Sequence, residues 1–262
     1  MSGTLAVVVA HPDDESYSTY GTVARYAADP RFRLVVLHAT DGERGEIAPG
    51  VPATRAGLGA WRRQEAENAW RALGRVPDRH VWLGYPDGGL ADVGVPALRD
   101  AVAVFLRDER PDVVATFGPD GVTGHPDHIA MCHATTEAFH VVRREGGTGL
   151  RRLLHGGIPQ SAFERGQRWL AARGKPVWDP TQMYHLRGTP DDEFGITTDN
   201  RAVVDRMLAA MKEHRSQRHV IFDPEGTDDE WMRVMRRETW VIAWPPRGPG
   251  RPLLDDVFAA LD

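Results

Sequence analysis

The chain has 262 residues, with 32 Lys and Arg against 37 Asp and Glu and a formal net charge of −5. That length suits one large α/β domain with a sizeable core, and the ordinary hydrophobic and charged fractions exclude disordered and collagen-like chains. The mildly acidic balance gives no footprint for nucleic acid, the single cysteine, Cys132, excludes a disulfide framework, and no run approaches the roughly 20 apolar residues of a membrane span.

In chain order, Thr4–Ala10 (TLAVVVA) reads as a buried strand that stops at His11-Pro12. Thr19–Ala28 follows with helical spacing, then a second strand at Arg33–Ala39 and an amphipathic helix over Trp61–Leu73 closed by Gly74. His80–Leu83 is a short strand and Pro96–Arg110 a helix with Pro at its start, where a missing N–H costs nothing. Asp112–Phe117 is another buried strand and Pro126–Val142 another helix. This alternation, with Val-rich strands, predicts a Rossmann-like α/β architecture: a mostly parallel sheet with helices on both faces. Residues 145–200 have weak periodicity and read as short strands and loops; Arg201–His214 reads as a helix and Trp240–Trp244 as a late strand. With no repeat or linker, residues 1–262 are expected to form one domain, with a core over about 4–220 and a C-terminal extension over about 221–262. The N-terminus lacks the basic segment and cleavage site of a signal peptide, so a soluble cytoplasmic protein is expected.

Two polar clusters fall at strand ends, where open α/β sheets bind ligands. The first is His11-Pro12-Asp13-Asp14-Glu15; the second is Gly124-His125-Pro126-Asp127-His128. A dinucleotide binder needs a Gly-rich turn after its first strand, and three carboxylates there would repel phosphates unless a cation intervened. A divalent metal held by His and Asp of the first cluster and a His of the second accounts for both clusters. The bland alternatives are a structural histidine and a helix N-terminus favouring Asp14 and Glu15. Spacing alone leaves open whether Asp13 or Asp14 is the ligand.

These residues resemble the PIG-L/LmbE family of zinc-dependent N-deacetylases. The resemblance rests on A-H-P-D-D-E (Ala10–Glu15) and G-H-P-D-H (Gly124–His128), with weaker support from Thr40–Glu46, Arg62–Gly74, Leu83–Leu90 and H-R-S-Q at His214–Gln217. It implies the PIG-L/LmbE deacetylase fold and one Zn²⁺ per chain, held by His11, Asp14 and His128. It also implies Asp13 as general base, His125 as the group that stabilises the tetrahedral intermediate, positively charged if protonated, and Arg62 and Asp87 as substrate contacts. Glu15 is expected to cap the helix or orient a histidine from the second shell of the metal. The bland readings are an Arg62–Glu65 ion pair and a turn role for Asp87.

Two departures from the family pattern stand out. Thr123 replaces a tyrosine that helps polarise the acyl group, a role left absent or supplied elsewhere, as by Tyr184; Tyr20 replaces a small residue and is expected to narrow the entrance. The implied activity is removal of an N-acetyl group from a small GlcNAc-containing or related amino-sugar molecule. The alternatives are hydrolysis of a larger amide (a thiol conjugate or a glycopeptide N-acyl group) and metal-dependent sugar binding without turnover. The expected partner is the small-molecule substrate, with a homo-oligomer left open.

Overall fold

The computed structural model describes residues 3–223, 225–247 and 250–261. β1 (Thr4–Val9) is almost entirely buried, as its β-branched run requires, and leads through the first polar cluster into the short helices α1 (Asp14–Ser18) and α2 (Tyr20–Tyr26). Then come β2 (Arg33–Thr40), α3 (Leu58–Leu73), β3 (Arg79–Tyr85), α4 (Leu90–Val93) and α5 (Val95–Glu109). Gly74 ends α3 in the left-handed conformation expected of a glycine cap. β4 (Val113–Phe117), wholly buried, feeds the second polar cluster and then α6 (Pro126–Arg144). The second half adds β5 (Arg152–Gly156), β6 (Ile158–Pro159), α7 (Gln160–Ala172), β7 (Gly188–Thr189), β8 (Phe194–Asp199), α8 (Val204–Met211), α9 (Arg218–Ile221), α10 (Asp228–Val234) and β9 (Arg237–Trp244).

Seven strands form one sheet in the order β3-β2-β1-β4-β5-β9-β8. The first five are parallel; β9 runs antiparallel between β5 and β8. Strand β9 of the 221–262 segment is thus an inner strand of the sheet. Helices α5 and α6 pack on one another, while α2, α3 and α8 form a separate group. The expected mostly parallel α/β sheet is therefore present. The chain winds outward from β1 through β2 to β3 and then returns to place β4 on the other side of β1. The crevice beyond the carboxyl ends of β1 and β4 is the topological switch point, where α/β sheets bind ligands. Both polar clusters open onto it.

The helix α7 departs from the loop-and-strand expectation for residues 145–200. Only Phe163 and Leu170 are buried along it, and Gly166 interrupts its middle where a Cβ would meet the Trp178 ring at 2.8 Å. Two buried positions seven residues apart are too thin a stripe to read as helical periodicity.

Candidate metal centre and active site

The turn after β1 brings His11 and Asp14 together: the His11 amide donates to Asp14 Oδ2 at 2.6 Å, and His11 Nδ1 lies 3.3 Å from the same oxygen. The start of α6 brings in His128, whose Nε2 is 3.2 Å from Asp14 Oδ1 and 3.3 Å from His11 Nδ1. The outer nitrogens of both rings face acceptors. His11 Nε2 donates to Asp87 Oδ1 (3.0 Å) and Asp127 Oδ2 (3.2 Å), and His128 Nδ1 donates to the Gly121 carbonyl (3.1 Å). With protons on the outer nitrogens, the inner ones carry lone pairs aimed at the same point as the Asp14 carboxylate. Two imidazoles and a carboxylate converging in this way, each ring fixed from behind, fit a divalent metal.

Electrostatics point the same way. Burial opposes charge on His11, yet Asp127, Asp14 and Asp87 outweigh it and hold its pKa well above the ordinary imidazole value. Burial likewise works against the Asp14 carboxylate, and His128 and His11 overcome it and keep the group ionised. A cation, proton or metal, is what these carboxylates favour. A second possible ligand group, His11, His125 and Asp127, shares His11. In that group Asp127 already accepts from the Gly88 and Leu90 amides at 2.8 and 3.0 Å, leaving the first group as the better metal site.

Asp13 lies beside these ligands in the left-handed region at φ 106°, ψ −25°, a conformation costing a non-glycine residue about 1–3 kcal/mol. Arg62 fixes the turn: one Nη donates to the Pro12 carbonyl at 2.5 Å and lies 3.2 Å from Asp13, and the other donates to the Gly42 carbonyl at 2.8 Å. Gly42 is required here, because a Cβ would fall 2.2 Å from the guanidinium. The Asp13 carboxyl is pushed up to about 6, chiefly by burial and against the pull of Arg62.

His125 caps α6. Its Nδ1 accepts the Asp127 amide proton at 3.1 Å, which leaves Nε2 as the protonated nitrogen of the neutral ring. Burial, with His11 and His128 nearby, lowers its pKa to about 4. Burial and these neighbours thus favour the neutral ring, a hydrogen-bond donor through Nε2, over the positively charged form considered for it.

The other expected site residues take clear places. Arg62 does not pair with Glu65, which instead accepts from the Ser216 amide and hydroxyl and from Trp61 Nε1. Asp87 stands behind His11, also accepts the Arg44 amide at 2.8 Å, and is held at about 2; burial raises it and His11 outweighs burial. Glu15, fully buried, reaches back to the Asp13 amide and bonds His38; neither metal-site histidine is its partner. Tyr20 does not narrow the entrance: it is fully buried, packed edge-on against Trp70 with its ring centroid 5.2 Å away. Cys132 is buried and its thiol is pushed up to about 12 by burial, which leaves it a packing residue.

Sequence reasoning missed Asp127, His38 and His214. Asp127 stood inside the second cluster, and His38 was a histidine in the middle of an apolar strand, a signal in itself. Tyr184 meets His125 edge-on at 5.3 Å, and its amide donates to the Thr123 carbonyl at 2.9 Å, so a tyrosine does stand at this turn although position 123 lacks one.

A doubly wound sheet with two histidines and an aspartate that could hold a metal ion at its switch point, beside the Arg62-paired Asp13 carboxylate and the His125 imidazole, is an arrangement suited to metal-dependent hydrolysis. Residues 6–139 match the family model PIG-L, described as GlcNAc-PI de-N-acetylase, and the chain belongs to this family. It is 36% identical to the 1D-myo-inositol 2-acetamido-2-deoxy-alpha-D-glucopyranoside deacetylase of Acidothermus cellulolyticus, over 100% of this chain and 96% of that protein. Among solved structures, a conserved protein of Thermus thermophilus is 27% identical with a TM-score of 0.62, covering 93% of this chain and 96% of that one. The N,N'-diacetylchitobiose deacetylase of Pyrococcus horikoshii shares the fold at 20% identity and a TM-score of 0.59, covering 91% of this chain and 83% of that one.

Proposed function

We propose that this chain is a single-domain, zinc-dependent N-deacetylase acting on a small GlcNAc-containing molecule, with 1D-myo-inositol 2-acetamido-2-deoxy-alpha-D-glucopyranoside as the first substrate to test. The observation that carries the reading is the convergence of His11 Nδ1, Asp14 and His128 Nε2 beside a carboxylate that belongs to none of them. The substrate is supported by the activity for which relatives matching nearly the whole chain are named.

In this reading His11, Asp14 and His128 hold one zinc ion. Zinc bound there would lower the pKa of water and polarise the acyl oxygen. Asp13 takes a proton from the attacking water and passes it to the amine nitrogen as the C–N bond breaks, releasing acetate and the free amino sugar. A carboxyl near pKa 6 suits this work at neutral pH, being mostly ionised yet still basic. His125 donates its Nε2–H to the acyl oxygen as negative charge develops there. For Arg62 we assign the placement of Asp13, and for Asp87 the support of His11, as roles that come before any sugar contact. Among the described residues no helix is long and apolar enough to cross a membrane, and none is needed for a small hydrophilic substrate.

The test is stoichiometric. Metal-free protein loaded with increasing zinc should gain deacetylase activity up to one equivalent per chain. Asp13→Asn should bind the same equivalent and turn over almost nothing; loss of the metal in that variant would make Asp13 a ligand and overturn the assignment.

A further inference from the structure

Asp13 works from a backbone conformation that a non-glycine residue rarely adopts, so something must hold it there. Part of the answer is buried under the site. The Asp13 amide donates to Glu15 Oε2 at 2.9 Å, and that same oxygen accepts from His38 Nε2 at 3.0 Å. The other carboxylate oxygen accepts the Tyr20 hydroxyl at 3.3 Å and lies 3.5 Å from His214 Nε2. Tyr20 and His214 also meet each other at 3.1 Å, and His38 Nδ1 is backed by His80 Nε2 at 2.8 Å. Glu15, His38, Tyr20 and His214 are each at most 1% exposed.

These groups come from four parts of the chain: α1, α2, β2 and the segment after α8. A charged carboxylate in so dry a place is costly unless nearly every lone pair has a partner, and here both oxygens do. None of His38, Tyr20 and His214 hydrogen-bonds or ion-pairs with His11, Asp14 or His128. Through Glu15 this network reaches the backbone of Asp13, the proposed base. We infer that Glu15 is a positioning residue for the general base, and that His38, Tyr20 and His214 serve to keep its carboxylate aimed at the Asp13 amide. The inference rests on Asp13 being the base.

Removing this support frees the Asp13 peptide to relax toward ordinary backbone angles and carries its carboxylate away from the attacking water. A misplacement of about 1 Å at a reacting group can cost about a hundred-fold in rate. Glu15→Ala is therefore expected to lower kcat about a hundred-fold, with KM and zinc stoichiometry unchanged. Glu15→Gln, which still offers an amide oxygen to the Asp13 N–H and an NH₂ to His214, should recover most of the turnover. His38→Leu removes one guide and should fall between them. A readout independent of activity runs alongside on the metal-free protein: hydrogen exchange at the Asp13 amide, measured by NMR, should quicken in Glu15→Ala and not in Glu15→Gln.

Unchanged kcat or unchanged Asp13 exchange in Glu15→Ala overturns the inference. So does loss of zinc from that variant, which would place Glu15 in support of the metal, or a Glu15→Gln protein as impaired as Glu15→Ala, which would make charge the requirement. If Glu15→Ala does not fold, His38→Leu decides on the same readouts. Asp13→Asn separates the two levels: full turnover in that variant sinks the base assignment, while the exchange measurement still decides whether Glu15 holds this backbone.

Discussion

The orientation of His11 offers the most quantitative test of the metal centre. Its outer nitrogen donates to two carboxylates, Asp87 at 3.0 Å and Asp127 at 3.2 Å, which leaves the inner nitrogen available to the proposed metal. Asp127 is fully buried and divides its oxygens, one accepting Gly88 and His11 and the other accepting Leu90. In Asp127→Asn the amide oxygen can keep Gly88 and His11, but its NH₂ then faces the Leu90 amide and the negative charge is gone. Loss of an outer partner typically costs about 10–100-fold in metal affinity, or about 1.4–2.7 kcal/mol. Because Asp87 still accepts from His11, the single variant should sit near the lower end, about ten-fold. Asp87→Asn with Asp127→Asn removes both charges and should approach about a hundred-fold. Zinc competition against a chromophoric chelator measures this directly. Thermal unfolding of metal-free protein records separately the unpaired Leu90 amide, about 1–3 kcal/mol. A double variant that binds zinc as tightly as the unaltered chain would show that these carboxylates do not hold His11 for the metal. A single variant as weak as the double would remove Asp87 from that role.

His125→Ala should keep its zinc and lose turnover by about 10²–10³-fold, as measured by amine release, since the donor to the acyl oxygen is gone. Because its surroundings lower the His125 pKa to about 4, raising the pH from 6 to 8 should not cost activity through this residue; a descending limb there that vanishes in His125→Gln would contradict the assignment. His155 gives a stability prediction. Burial, with His133 and His140 nearby, lowers its pKa to about 4, so between pH 6.5 and 4 the unfolded chain binds the proton that the folded chain refuses. Its contribution is complete above pH 6.5 and is lost as pH falls toward 4, by about 3 kcal/mol at most. Urea unfolding across that range should show a shallower acid slope in His155→Gln.

The first half of the fold was legible because its strands are continuous Val-rich runs and its helices carry complete apolar stripes; β1, β2, β4 and α6 fall within a residue or two of where periodicity puts them. The place of the candidate site was legible for a different reason: both clusters sit at strand ends, and the strand order brings those ends together at the switch point. What sequence could not supply was direction. Arg62 and Asp87 are near the reacting centre as expected, but their side chains turn toward Asp13 and His11. Tyr20 looked like an obstruction and is a buried hydrogen-bond donor, because α2 rotates it inward onto Trp70. Such choices are made by tertiary packing, which leaves no periodic trace. The same holds for β9, whose place between β5 and β8 depends on a long-range antiparallel pairing.

One experiment reaches zinc-dependent deacetylation with the fewest assumptions. Metal-free protein, with and without added Zn²⁺, is incubated with a panel of N-acetylated amino sugars led by 1D-myo-inositol 2-acetamido-2-deoxy-alpha-D-glucopyranoside, and free amine is measured. Zinc-dependent amine release from this substrate is expected, abolished in Asp13→Asn. Tight zinc binding with no amine released from any member of the panel would contradict it.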